Sequence, residues 1–326
     1  MARRKSKKSR AVTKANRQIT VQIPAGESYV DVARCLSMIN RKLFAQGKVY
    51  GIESVDFMFT TSATAAVQRL SAFTAGDTWS VHNAHTKGKA LWNEMQQLVL
   101  ADNPSIAGTW HDYKVYLDKG QAEAAAPVQN LNPIDGGSVQ YQQGEWTYST
   151  YVMPQHVVDA ATGQPLVADE TTAHLLGANV GVAGAFTSVG LVKAYQESRA
   201  TVQEFSPDVP AGFSESFFNL LTDSGSQEPE LGDVIEGEND SPPYDQNQYP
   251  GGAFNAVNPV YTEFTQVSDG YPTGTLTSFV AQCGLIKFEN TATITTGEST
   301  TAPTLLARIT VMPGKYKGVA AIDMGQ

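Results

Sequence analysis

Cys35 and Cys283 are the only cysteines in this chain of 326 residues, so no disulfide framework is expected and a reducing compartment is the default. Long apolar runs are missing too. The longest uncharged stretch, residues 175–192, is interrupted by glycine and polar residues through its first half, so it reads as a Gly-rich connection rather than a membrane span. No apolar segment follows the basic start of the chain, and a secretory signal is not expected. The motifs GxSxG and GxxxxGK[ST] do not occur, and residues 177–181 lack the third glycine of a dinucleotide fingerprint. The positive case for an enzyme is therefore absent, and no cofactor is implied.

What is present suffices for a folded core: 41% of residues are hydrophobic and 17% charged, which excludes disorder throughout. The charge is unevenly placed. Residues 1–17 hold Arg3, Arg4, Lys5, Lys7, Lys8, Arg10, Lys14 and Arg17 and no acid, a segment of +8. The formal net charge of −9, from 23 basic and 32 acidic side chains, thus leaves 15 basic against 32 acidic in the remainder, a body of −17. A like-charge block without apolar residues buries nothing and is expected to be a disordered interaction arm. A polyanion suits it, because each cation reaching a phosphate releases condensed counterions. These eight residues are the candidate nucleic-acid contacts. A nuclear import signal, a ribosomal or histone-like tail and a chance basic terminus are the competing readings.

Along the body, Ile19, Val21 and Ile23 alternate with polar residues and predict a strand. Apolar spacing predicts a helix over residues 32–46 and a better one over 87–101, where Leu91, Trp92, Met95, Leu98 and Val99 form one stripe. Further strands are expected at 49–59, 110–117, 139–141, 146–153, 189–195, 200–204, 275–281, 285–289, 292–295 and 305–311, with a short helix at 213–221. Many short strands with helices only in the connections predict an all-β antiparallel sandwich; no strand-helix alternation of the parallel type is visible. Residues 223–249 carry eight acids and no base, and read as an exposed acidic loop; clustered carboxylates would also suit calcium, but the spacing matches no calcium loop.

The remaining polar and aromatic residues read mostly as structure. His82 and His85 have zinc-like spacing without further ligands, and His111 and Asp112 are neighbours that a strand would point to opposite faces. Cys35, among Val32, Leu36 and Ile39, reads as a small buried residue. The tryptophans Trp79, Trp92, Trp110 and Trp146 could stack bases, yet their spacing favours packing.

Taken in order, the arm, the strand Gln18–Ile23 and residues 36–47 (LSMINRKLFAQG), 77–95 (DTWSVHNAHTKGKALWNEM) and 104–116 (PSIAGTWHDYKVY) resemble capsid proteins of small circular single-stranded DNA viruses that encode a replication-initiator protein, the environmental and faecal-associated ones in particular. The likeness is best over residues 1–118 and returns in 304–320. A related small RNA virus shell protein is the alternative reading of the same resemblance. The resemblance implies a single jelly roll over residues 18–326, self-association with icosahedral symmetry, packaging of single-stranded DNA by the arm 1–17, residence in the virion and a possible visit to the host nucleus through an import receptor. It implies no enzyme, no cofactor and no membrane span. The arm is shorter and less Arg-rich than is usual there; sixty copies would bring only roughly 480 arm charges to a genome of a few thousand phosphates. Two rival classes are a non-viral β-sandwich nucleic-acid-binding protein, and a β-sandwich carbohydrate-binding protein or hydrolase, which would need a concave site with convergent polar groups.

Overall fold

A computed structural model describes residues 15–58, 65–108, 112–123, 130–136, 139–142, 146–153, 169–182, 185–198 and 259–325. It is mostly β, and its two principal sheets are antiparallel throughout.

In the first sheet, β1 (Gln18–Ile23) pairs with β15 (Leu305–Val311), setting Gln18 opposite Thr310 and Ile23 opposite Leu305. On its other side β15 pairs with β3 (Lys48–Met58), the longest strand among the described residues. Against the far edge of β3 lie β11 (Thr273–Leu276), beside its end, and β12 (Phe279–Ala281), beside its middle, whereas β18 (Ala321–Asp323) pairs with the start of β3 on the β15 side, where β15 has ended. The second sheet runs β10 (Val260–Ser268), β4 (Val67–Thr74), β13 (Leu285–Thr293), with β2 (Gly26–Asp31) and the short β14 (Ser299–Thr300) sharing the other side of β13. Period-two alternation aims Ile19, Val21, Val55, Phe57 and Ile309 from one sheet, and Val30, Leu70, Ile286 and Phe288 from the other, into one fully buried core. The strand expectations at 18–23, 49–59 and 305–311 match β1, β3 and β15; those at 285–289 and 292–295 are one strand, β13. The expected strand at 275–281 is two, β11 and β12, parted at Thr277, whose backbone N–H and hydroxyl both donate to Glu263.

Between β4 and β10 the chain builds a separate layer. Helix α1 (Val32–Asn40) precedes it, capped by Asp31, which accepts from the Arg34 backbone N–H at 3.0 Å. The helix expected to reach residue 46 stops at Asn40, because Arg41 takes a left-handed conformation (φ 47°, ψ 41°) and donates its backbone N–H to Ser37. Helix α2 (Trp79–Asp102) starts well before the predicted residue 87: Thr78 caps it, and the weak helix formers of its first two turns hide it from periodicity.

A third sheet follows, made of β5 (Tyr116–Asp118), β6 (Thr150–Met153), β7 (Asp169–Leu176), β8 (Val180–Val182) and β9 (Ala185–Gly190), with α3 (Lys119–Glu123) and α4 (Leu191–Glu197) beside it. Here β7 pairs parallel with both β5 and β9, which corrects the expectation that no parallel arrangement occurs. The supposed Gly-rich connection 175–192 holds β8, β9 and the start of α4, and the strand expected at 189–195 is a helix from Leu191 onward.

Within the strand expected at 110–117, residues 112–115 make no ladder: the amide of Gln46 accepts from the Val115 N–H at 2.6 Å and donates to its carbonyl at 3.0 Å, replacing a neighbouring strand. Of the strand expected at 139–141 only a bridge from Gln140 to Ile134 is present, and the one at 146–153 is reduced to β6. The expected elements at 200–204 and 213–221 and the acidic stretch 223–249 lie outside the described residues. A hairpin of β16 (Pro313–Gly314) and β17 (Gly318–Val319) closes the C-terminal part.

Candidate nucleic-acid interface

Seven of the eight candidate cations, Arg3, Arg4, Lys5, Lys7, Lys8, Arg10 and Lys14, lie outside the described residues; Arg17 lies within them. Its guanidinium donates to the Val311 carbonyl at 2.7 Å and pairs with Glu53 at 3.1 Å, while its own carbonyl accepts from the Val311 N–H at 3.0 Å. Arg17 thus fastens the root of the arm to the start of the β1–β15 ladder. One residue earlier, Asn16 and Asn40 exchange two hydrogen bonds, the Asn16 N–H to Asn40 Oδ1 at 2.7 Å and Asn40 Nδ2 to the Asn16 carbonyl at 2.9 Å. Asn16 therefore lies beside the last turn of α1.

That place adjoins a group of cations which sequence reasoning passed over. Arg41 and Lys42 follow Asn40 directly and are exposed. Lys315 and Lys317 flank Tyr316 at the tip of the β16–β17 hairpin. The hairpin is tied down, because the Ala45 N–H donates to the Tyr316 hydroxyl at 2.9 Å and the ring meets Phe44 edge-on at 6.1 Å. Two ammonium groups lie over that ring, Lys48 at 4.5 Å and Lys317 at 5.2 Å from its centre. Lys48 also pairs with Asp323, and Lys317 donates to the Leu43 carbonyl. Burial, then the nearby Lys42 charge, holds the Lys317 ammonium below its ordinary value. The available signal was the Lys-Tyr-Lys triplet between two glycines, together with Arg41-Lys42 after a helix; both are too short to stand out before folding brings them together.

The other candidates serve the fold. His82 lies between two partners, with Nε2 2.7 Å from Asp77 and Nδ1 accepting from the Gly325 N–H at 3.0 Å. His85 is buried, neither ring nitrogen has a hydrogen-bond partner among the described residues, and burial pushes it down to about 3. His174 bridges Ser188 and the Ala178 carbonyl in the third sheet, and burial pushes it down to about 4. Cys35 and Cys283 are buried free thiols, and desolvation pushes Cys35 up to about 12. Trp92 and Trp146 are buried, and Trp79 packs on Tyr195; His111, His156 and Trp110 lie outside the described residues. Among the described residues no three His, Cys, Asp or Glu side chains converge as metal ligands, and no helix is long and apolar enough to cross a membrane.

Two concavities bear on the rival classes. A groove of about 840 Å³ beside α2 is lined by Trp92, Leu98 and Val99 together with the charged Asp112, Lys114 and Glu170. A smaller one of about 400 Å³ is rich in amides, including Gln22, Asn130, Asn132 and Gln140. Two of those amides already serve the protein, since Asn130 accepts from Gln121 and Asn132 from Arg34. No protein-family model matches the chain, and no curated protein or solved structure matches it significantly.

Proposed function

We propose that the chain is the capsid protein of a small circular single-stranded DNA virus: a jelly-roll subunit that closes with its copies into an icosahedral shell and packages the genome through its basic arm. The observation that carries this reading is the strand order. Counting the eight sandwich strands along the chain, with β11 and β12 taken as one, the sheets run 1-8-3-6 and 2-7-4-5. Every pairing joins a strand from the first half to one from the second, the pattern of two Greek keys rolled together that shell proteins share with lectins and cupins. The fold alone does not separate these classes. The cationic arm does, because a sugar-binding sandwich has no use for eight positive charges ahead of its first strand.

The mechanism follows from charge. Bodies of −17 repel one another, and arms of +8 bound to phosphate offset much of that repulsion while concentrating subunits on the strand. Contacts between copies then repeat about symmetry axes until the shell closes. The test replaces Arg3, Arg4, Lys5, Lys7, Lys8, Arg10 and Lys14 by serine in the full chain and compares purified particles by their ratio of absorbance at 260 and 280 nm. The reading expects a large loss of nucleic acid. Particles of unchanged nucleic acid content would contradict it.

A further inference from the structure

We propose that the folded body carries its own site for the phosphodiester backbone of single-stranded nucleic acid, formed by Arg41, Lys42, Lys315 and Lys317 beside the root of the arm. The inference deepens the packaging role and rests on it for the identity of the polyanion.

The body is acidic, so four cations gathered at one place run against its average sign. Among the described residues Arg41, Lys42, Lys315 and Lys317 have no acidic partner within ion-pair distance, whereas Arg17, Lys48, Lys119 and Lys287 each have one. Of the acids nearby, Asp323 pairs with Lys48 and Glu53 with Arg17, while Asp112 accepts from the backbone of Gln46 and Tyr113 and acts on Lys317 from beyond ion-pair distance. One such carboxylate against four cations leaves this end of the sandwich net positive and open to a partner from outside.

The geometry suits a backbone track. Tyr316 is braced by Ala45 and Phe44, so the two lysines beside it project from a fixed turn instead of a loose loop. Lys317 is held by the Leu43 carbonyl and by the faces of Phe44 and Tyr316, the latter pair at 5.8 and 5.2 Å. Lys48 and Lys317 share the Tyr316 ring, and Lys42 and Lys48 lower the Lys317 ammonium against the opposing Asp112, so like charges meet at this turn. A run of phosphates relieves that repulsion and releases its own counterions on binding. Asn16, bonded to Asn40, lies next to Arg41, so the site adjoins the residue from which the arm begins. Nothing in the cluster reads bases, and the contact is independent of sequence.

The experiment measures binding of a short oligothymidylate by the full chain, kept dilute, across a range of salt. One variant carries Lys42→Ala, Lys315→Ala and Lys317→Ala, and another Lys5→Ala, Lys7→Ala and Lys8→Ala in the arm. The site predicts that the body variant weakens binding about tenfold or more at low salt, and flattens the slope of log K against log salt by about 2, as does the arm variant. Wild-type affinity and slope in the body variant, with both reduced in the arm variant, would overturn this site and leave the packaging role standing. If neither variant differs from the parent, both proposals fall. Because Lys317 also binds the Leu43 carbonyl, a second body variant with Lys42→Ala and Lys315→Ala alone guards against loss of fold. It should flatten the slope by about 1.4, and an unchanged slope in that variant overturns the proposal.

Discussion

The sandwich and the layer inserted between β4 and β10 are held together by different chemistry. The sandwich core is mainly aliphatic, with Ile19, Val21, Ile23, Val55, Ile309 and their neighbours wholly buried between two antiparallel sheets. The inserted layer buries groups that titrate or need partners: the Tyr113 and Tyr151 hydroxyls meet at 2.5 Å, Asp118 accepts from Tyr29 at 3.2 Å, and His85, His174 and Lys114 are all enclosed. Apolar burial is indifferent to pH; buried imidazoles are not. The difference teaches that size and solvent conditions act on separate parts of this chain. Packing defects should fall on the sandwich, while acid should act first on the insert.

The largest expected effect comes from Ile309, fully buried in the middle of the first sheet. Ile309→Ala leaves a cavity and should cost about 2 to 5 kcal/mol, read in urea denaturation. In the insert, Gly190 ends β9 and caps α4, and a Cβ there would lie 2.2 Å from the Gly177 carbonyl oxygen, a contact with backbone that cannot swing aside. Gly190→Ala should cost about 1 to 3 kcal/mol, lost in a separate early transition while the sandwich transition keeps its midpoint. A single shared transition in both variants would break the comparison, since the two layers would then unfold as one.

Acid should produce the next largest effect. His85 and His174 titrate in the fold near 3 and 4, below the ordinary value of 6.5, so the folded chain binds fewer protons than the unfolded one. Their stabilising contribution is complete above about pH 6.5 and is lost as the pH falls toward 4. Asp31 has the opposite sign: burial raises it to about 6 from 3.8, so its protonation between those values favours the fold. Asp118, also raised by burial, acts in the same sense as Asp31, but the two imidazoles are displaced further, and the melting temperature should fall between pH 7 and 4. His85→Leu, which removes two ring nitrogens that have no hydrogen-bond partner among the described residues, should shallow that fall without loss at pH 7. An unaltered pH profile in this variant would remove buried histidine as the source of acid sensitivity.

What could be read from the amino acids alone divides along the same line. β1, β3 and β15 alternate buried and exposed residues with period two, a local signal that survives without knowledge of neighbours. The insert offers no such signal. Its Val115 is paired by the side chain of Gln46, distant in sequence, and residues 189–195, with two valines and a tyrosine, pass for a strand although the chain is helical from Leu191, with Gly190 at the N-cap. Two parallel pairings on β7 depend on crossovers that periodicity does not record. The arm was legible because charge blocks need no fold to be seen. The cations at its root were not, since Arg41-Lys42 and Lys315 to Lys317 are separated by most of the chain and meet through the Tyr316 hydroxyl and Ala45.

The central claim is that this sandwich, with a polycation ahead of it, is a unit that multiplies into a closed container. Negative-stain electron microscopy of the purified full chain, paired with sedimentation, tests it most directly. The account predicts hollow or filled particles of uniform diameter that sediment far faster than a single 35.0 kDa chain. A lone subunit at high concentration, with and without added single-stranded DNA, would contradict it.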